Sequence, residues 1–219
     1  MRKVFSQKAI ISIALLTCII LVGSYYQPIL IATGGYLAPR KEGKADVVIL
    51  EGTELIREDA VRIGVNFLRR GVAGRLIVIY QHSGDEKIFA RPADYGSFLV
   101  QELEALGLKK EQIQVFEVPK GHPITLNEAK IVLSKLATNG VRSAILLSEG
   151  FHTRRSLWVY RQVGSGLGIE VSSFPYFMSY QNESWWQKAQ GVREFFDESL
   201  KFFYYILRGY IPLKSLVAA

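Results

Sequence analysis

The stretch that decides the fold is Ala144-Ile145-Leu146-Leu147-Ser148-Glu149-Gly150-Phe151-His152-Thr153-Arg154-Arg155-Ser156. Four consecutive apolar residues predict a strand buried on both faces, as in the interior of a parallel sheet. The apolar run breaks at residues 148–150, and a helix is predicted over residues 153–163. The carboxyl end of such a strand is where an open α/β sheet binds a ligand. The hydroxyl, carboxylate, imidazole and guanidinium groups there are suited to bind an anionic group or exchange a proton with it. The alternative is a polar helix start whose Arg side chains lie in water.

Further apolar runs alternate with helical patterns around this strand. The strand patterns cover residues 46–50, 75–80, 113–118 and 169–174, and segments long enough for helices separate them. This alternation predicts an α/β fold, a three-layer αβα Rossmann-like domain with a mainly parallel sheet. Right-handed crossovers bring the carboxyl ends of the strands to one rim. The side chains expected to meet there are Glu51, His82, Thr125 and His152.

Two threonines are predicted to cap helices near this rim. Thr53 follows the first strand and precedes acidic residues that favour the first turn of a helix. Thr125 stands three residues before Glu128, which is the spacing of a capping box. We therefore expect a helix to begin directly after each threonine.

The N-terminal segment is predicted to be an uncleaved transmembrane signal anchor over residues 9–28. It carries no charged side chain, and crossing a bilayer core of about 30 Å needs roughly 20 residues. The residues before it are basic without any acid, which predicts a cytoplasmic N-terminus: Arg2, Lys3 and Lys8. Three alternatives remain open: a signal peptide cleaved near residues 22–24, a lipoprotein signal at Cys18, and a re-entrant or core helix.

Composition narrows the chemistry of the folded part. Cys18 is the only cysteine among the 219 residues, so a disulfide, a cysteine zinc site and a thiol nucleophile are excluded for the exported domain. The net charge of +7 is spread along the chain without a Lys/Arg block. Attraction to anionic lipid or polymer surfaces follows from this more readily than nucleic-acid binding, for which no motif is present. No metal site is predicted.

The predicted organisation is a cytoplasmic tail (1–8), the anchor (9–28), a linker (29–44), the α/β domain (45–213) and a tail (214–219). Residues 184–207 are rich in aromatic side chains and predict a helix. One stripe of that helix can bury only part of the aromatic residues. It is therefore expected either to pack on the sheet or to lie on a membrane surface.

Several short segments give the chain a resemblance to a known bacterial family. Asp46 precedes the first apolar strand, and Arg57 and Ala60 stand on the helix after it. The other matching segments are Thr125-Leu126-Asn127-Glu128-Ala129 and the stretch from Ser148 to Ser156 with Phe151, His152 and Arg155. Over about residues 45–208 the chain resembles the YdcF-like domain of unknown function, whose membrane-anchored members are of the SanA and ElyC type. The glycine-rich turns usual after the first two strands are replaced here by Glu51-Gly52-Thr53 and Tyr80-Gln81-His82.

The resemblance implies a single-pass protein of the bacterial inner membrane with its C-terminal domain in the periplasm. It also implies a link to the cell envelope and to peptidoglycan or lipid-carrier metabolism. The cofactor is not specified by either the residues or the resemblance, although the soluble members are associated with S-adenosylmethionine. The expected partners are the inner membrane and an anionic small-molecule or lipid-linked ligand.

The candidate site combines an acid–base pair with an anion-binding group. His152 is the expected acid–base residue, and Glu149 or Glu51 would orient its imidazole. Arg155 would hold the anion, helped by Arg57 and the helix start at Thr125. The complete prediction is His152 and Glu149 as catalytic residues, with ligand binding by Glu51, Gly52, Thr53, Arg57, Thr125, Asn127, Glu128, Ser148 and Arg155.

Three functions are compatible with these residues. The first is an envelope protein that binds or processes a phosphorylated or lipid-linked, peptidoglycan-related precursor. The second is a non-catalytic binding or scaffold module that supports the envelope barrier, since the sequence has no nucleophile elbow and no Walker-type loop. The third is a nucleotide-dependent cytoplasmic enzyme, which requires the opposite membrane topology.

Overall fold

A computed structural model describes residues 7–41, 43–53, 56–82 and 95–217 of the chain. Its centre is a five-stranded sheet in which every strand pair is parallel, with the strand order β3-β2-β1-β4-β5. The strands are β1 (Ala45–Thr53), β2 (Ala73–His82), β3 (Ile113–Pro119), β4 (Ser143–Glu149) and β5 (Glu170–Tyr176). The predicted α/β class and parallel sheet are confirmed.

Among the described residues, five helices cover the two faces of the sheet: α2 (Glu58–Arg69), α3 (Tyr95–Ala105), α4 (Ile124–Thr138), α5 (Thr153–Leu167) and α6 (Ala189–Leu207). The N-terminal helix α1 (Gln7–Leu37) packs against α5 and α6. Because side chains alternate along a strand, Val48 and Leu50 face α2 and α3, while Val47 and Ile49 face α4, α5 and α6. The domain therefore has the predicted three layers, in agreement with a Rossmann-like fold.

The direction of the chain across the sheet reverses between β1 and β4. From β1 the chain continues through β2 to β3 on one side, and the crossover through α4 then brings it to β4 and β5 on the other side. Leu50 pairs with Leu147, so the two strands end next to each other and place Glu51 beside Ser148. A crevice at such a switch point is the usual ligand site of an open α/β sheet.

Both cap predictions are wrong. Thr53 is the last residue of β1, and α2 begins five residues further on with Arg57 at the cap position. Helix α4 begins at Ile124 with Pro123 at its cap, and Pro123 has a φ of −70° and no side-chain donor or acceptor. The helix therefore starts two residues earlier than the capping-box spacing requires, and the side chains of Thr125 and Glu128 are buried in the protein interior.

Helix α1 continues to Leu37, well into the segment predicted as a linker. Its last turns pack on the domain, where Leu30 O accepts a hydrogen bond from Trp185 Nε1 at 2.9 Å and the ring of Tyr36 meets that of Phe202. No single helix among the described residues qualifies as a membrane span by length and apolar composition. Two parts of α1, residues 10–21 and 23–37, qualify only as a pair, with a bend of 44° between them.

Arg154, in the stretch of residues 144–156, makes hydrogen bonds to the end of α1 and to a turn near the C-terminus. Its guanidinium donates to Tyr36 O at 3.0 Å and to Ser215 O at 2.6 Å, and it stacks 3.7 Å from the centre of the Tyr36 ring. The side chain is buried, and so is Ser215 in the short turn Leu213–Leu216. The segment predicted as a C-terminal tail is therefore partly integrated into the domain, as is the end of α1.

Candidate functional site

Two cavities meet at the switch point, and His152, Glu51 and Gly52 line both of them. The first cavity, of about 470 Å³, opens between β1, β2, the start of α4 and α6. The second, of about 310 Å³, lies on the other side of His152 and is lined by Arg57, Glu149, Tyr176, Gln190, Glu194, Asp197 and Glu198. The predicted rim site therefore exists as a pocket, with the imidazole in the wall that divides it.

The imidazole of His152 is held by protein groups at both ring nitrogens. Nε2 lies 2.9 Å from Glu51 Oε1, and Nδ1 lies 3.2 Å from Glu198 Oε2. The Nη2 of Arg155 is 2.6 Å from the same Nδ1, and Ser156 Oγ is 2.8 Å from Nε2. A ligand in either cavity therefore contacts an imidazole whose two ring nitrogens already have protein partners.

The surroundings of His152 stabilise its charged form. Burial by itself would lower the pKa of the imidazole, but the carboxylates of Glu51 and Glu198 outweigh burial and the nearby Arg155 charge, and raise the pKa to about 9. The two carboxylates therefore favour a protonated imidazole paired with Glu51, although the 2.6 Å approach of Arg155 Nη2 to Nδ1 is a contact between two donors in that state.

Glu51 is a buried carboxylate with several hydrogen-bond donors. Ser148 Oγ and Ser156 Oγ donate to its two oxygens, in addition to the contact from His152. Burial would raise the pKa of this carboxyl, but the His152 charge and the two hydroxyl donors lower it below its ordinary value. Glu51 is thus the ionised carboxylate nearest the centre of the site.

Arg155 is paired by a residue of α6. Its Nε donates to Glu198 Oε2 at 2.9 Å and its Nη1 to Thr125 Oγ1 at 3.1 Å, and its guanidinium lies 4.8 Å from the centre of the Tyr205 ring. The pKa of Glu198 is far below its usual range, because the charges and hydrogen bonds of His152 and Arg155 overcome the effect of burial. The four elements β1, α4, α5 and α6 thus meet through one buried charge network.

Glu128 forms the floor of the first cavity and differs from Glu51 in its ionisation. Tyr160 Oη donates to it at 2.6 Å, and Gln81 Nε2 and the backbone N–H of Gly52 contact the same carboxyl. Burial, together with the negative charge of Glu51, raises the pKa of Glu128 to about 8. One neutral carboxyl and one carboxylate therefore lie near each other, and such separation of pKa values is typical of acid–base sites.

Gly52 allows this close approach of strand and carboxyl. A Cβ atom at residue 52 would collide with the Glu128 carboxyl and would lie 2.8 Å from a methyl group of Ile79. A side chain at this position of β1 would therefore displace the Glu128 carboxyl, and Gly52 itself lines both cavities.

The structure brings most of the predicted site residues together. Of the two acids expected to orient the imidazole, Glu51 contacts it at 2.9 Å, whereas Glu149 lines the second cavity with Arg57 and the other ring nitrogen contacts Glu198. Ser148 contacts Glu51, whereas the Asn127 amide donates to Pro119 O and lines neither cavity. The side chains of Thr53 and His82 lie outside what the structure describes.

Several residues of the site were not predicted. Glu198 completes the charge network, Gln81 and Tyr160 hold Glu128, and the mouth of the first cavity carries Lys201, Tyr204, Tyr205 and Tyr210. One signal was present in the sequence, since Glu198 is an acid on the face of α6 that otherwise buries Gly191, Phe202 and Tyr205. An acid at a core position of a helix requires a buried partner.

Comparison with known proteins adds no identification. Neither a family model nor a curated protein sequence matches the chain. The fold and the site therefore define a class, an α/β protein with a buried Glu–His–Arg–Glu network at the switch point of a parallel sheet. Among the described residues, His, Cys, Asp and Glu side chains form no group that could hold a metal ion.

Proposed function

We propose that this chain is a membrane-anchored cell-envelope protein of the YdcF-like, SanA and ElyC type, with its α/β domain in the periplasm. It binds or processes a phosphorylated or lipid-linked, peptidoglycan-related precursor in the first cavity. The single observation that carries the proposal is the cavity of about 470 Å³ at the switch point, lined by Arg155, His152, Glu51 and Glu128. The segment from Ser148 to Ser156, on which the family resemblance rests, supplies two of these side chains.

The charges at the cavity suit a ligand with a phosphate at one end. Lys201 and the start of α4 line the same space as Arg155, so cationic and N–H donor groups approach it from two sides. The tyrosines at the mouth offer ring faces and hydroxyl groups to a sugar or another neutral part of the ligand. In a reaction, Glu51 is the group suited to accept a proton and Glu128 the group suited to donate one.

A non-catalytic binding or scaffold role is the second candidate. It is favoured by the pairing of His152 at both ring nitrogens and by the pairing of Arg155 with Glu198 and Thr125. Side chains that are already hydrogen-bonded to one another, as His152 and Arg155 are, can bind a ligand through their remaining donors without exchanging protons with it. Release of inorganic phosphate from a bound ligand would separate the enzyme from the binder.

Binding to the full chain in nanodiscs of zwitterionic lipid tests the proposal. A polyprenyl phosphate is compared with the uncharged polyprenol of the same length. We expect the phosphate to bind at least about tenfold more tightly, a difference of about 1.4 kcal/mol. Arg155→Lys should remove most of this preference, because lysine keeps the charge but loses the planar fork of donors.

The matched control is Lys130→Gln on the exposed face of α4, outside both cavities. It should leave the preference unchanged. Equal affinity for the phosphate and the alcohol, or a preference that survives in a folded Arg155→Lys variant, would refute an anion site in this cavity. A C-terminal alkaline phosphatase fusion tests the topology separately, since inactivity in an expressed fusion favours the cytoplasmic enzyme.

A further inference from the structure

Helix α6 has a second apolar face that the domain does not cover. The face pointing inward holds Gly191, Glu198, Phe202 and Tyr205. On the outer face, five large side chains that are between 52% and 85% exposed recur at helical spacing: Phe196, Leu200, Phe203, Tyr204 and Leu207. We call these five residues the α6 outer face. A stripe of this size on the surface of a protein usually marks a contact with a partner or a membrane.

Ring contacts connect the α6 outer face to α1 through the buried side chains of Trp185 and Phe202. At one end, the rings of Tyr26 and Trp186 are 6.4 Å apart, and contacts through Trp185 and Phe195 lead on to Phe196. At the other end, Tyr36 of α1 meets Phe202, whose ring lies 6.2 Å from that of Phe203. The side chains of α1 in this region, such as Tyr25 and Ile29, are themselves exposed.

Basic side chains border the apolar stripe. Arg193 and Arg208 are exposed residues on α6 or directly after it, and Lys214 follows in the next turn beside the exposed Leu213, whereas the exposed Lys201 is ion-paired with Asp197 and Glu198 of the same helix. Large apolar side chains flanked by Arg and Lys are the composition of a helix that lies in the interface of an anionic membrane.

Resting on the membrane anchor of the proposed function, we propose that the α6 outer face lies in the lipid headgroup region of the membrane that holds α1. The apolar side chains then reach the boundary of the acyl chains, and the basic side chains contact anionic headgroups. Tyr204 and Lys201 belong both to this surface and to the lining of the first cavity. The mouth of the cavity therefore opens at headgroup level, where an amphiphilic ligand enters without leaving the bilayer.

An environment-sensitive fluorophore on α6 tests this placement in the full chain. Cys18→Ser removes the only native thiol, and Leu200→Cys or Leu207→Cys introduces the labelling site. The matched control is Glu104→Cys, which is exposed on α3 across the sheet from α6. Each protein is placed, at one copy per disc, in nanodiscs of phosphatidylcholine and phosphatidylglycerol. Its fluorescence is compared with that of the same protein in discs that also contain a lipid with a spin label near the headgroup.

We expect blue-shifted emission that the spin-labelled lipid largely quenches at residues 200 and 207, and neither effect at residue 104. Quenching no greater at 200 and 207 than at 104 would overturn the proposal. A blue shift that arises only in discs with two copies would also overturn it, because it would assign the α6 outer face to a second copy of the chain. Neither result would affect phosphate binding in the cavity, so the two proposals fail separately.

Discussion

Replacing Glu198 by alanine is expected to lower the free energy of unfolding of the domain by about 3–5 kcal/mol, the usual cost of removing one partner of a buried ion pair. The substitution leaves the Arg155 guanidinium buried without its carboxylate, which lies 2.9 Å from Nε, and it also removes the Nδ1 partner of His152. The loss of unfolding free energy is measured by denaturant unfolding of the full chain in detergent, followed by near-UV circular dichroism of the aromatic side chains.

Asp197→Ala provides the matched control one residue away. Asp197 pairs with Lys201 on the exposed side of α6, so its removal should cost less than about 1 kcal/mol. Glu198→Gln should lie between the two, since an amide oxygen still accepts a hydrogen bond from Arg155. If Glu198→Ala is no less stable than Asp197→Ala, the network does not hold α6 to the sheet.

Stability is expected to fall as the pH rises from about 5 to about 9. Glu128 has its pKa raised to about 8 in the folded protein against 4.5 in the unfolded chain, so the folded state binds its proton more tightly and loses that advantage across this interval. His152 acts in the same direction, with its contribution complete below its unfolded pKa of 6.5 and lost as the pH passes about 9. The pKa values of Glu51 and Glu198 are lowered, so their contribution to stability is lost only as the pH falls into the more acidic range.

Two variants divide this pH dependence between the two groups. Glu128→Gln should remove the lower part of the slope and be more stable than the parent chain above pH ~8, because no charge then has to be buried beside Glu51. His152→Gln should flatten the upper part. Unfolding free energies at half-unit pH intervals measure both effects, and a parent stability that rises between pH 6 and 9 would contradict the assigned ionisation states.

The sequence predicted the fold because buried strands leave a strong local signal. The apolar run Ala144–Leu147 and the four runs like it each became a strand of the sheet, and the alternation with helices was sufficient to predict parallel pairing. The rule that parallel strands end at one rim also placed Glu51 and His152 together, and the structure puts their nearest atoms 2.9 Å apart.

The parts that could not be predicted depend on contacts between distant segments. The position of α6 relative to the sheet is set by its packing, so the sequence could indicate that Glu198 needs a buried partner but not that the partner is Arg155 of α5. Thr125 and Glu128 have the spacing of a capping box, and only the helix start at Ile124 decides that these side chains point inward instead. The same local pattern fits a surface cap and a buried site.

The most direct test of the central claim is photolabelling of the full chain in nanodiscs. A polyprenyl phosphate that carries a photoreactive group near its phosphate is activated, and the modified peptides are identified by mass spectrometry. The account predicts labelling within the cavity lining, at the segment from His122 to Thr125 or at Tyr204, Tyr205 and Tyr210, with competition by unlabelled polyprenyl phosphate but not by polyprenol. Labelling confined to other surfaces, or competition by the alcohol that equals competition by the phosphate, would contradict it.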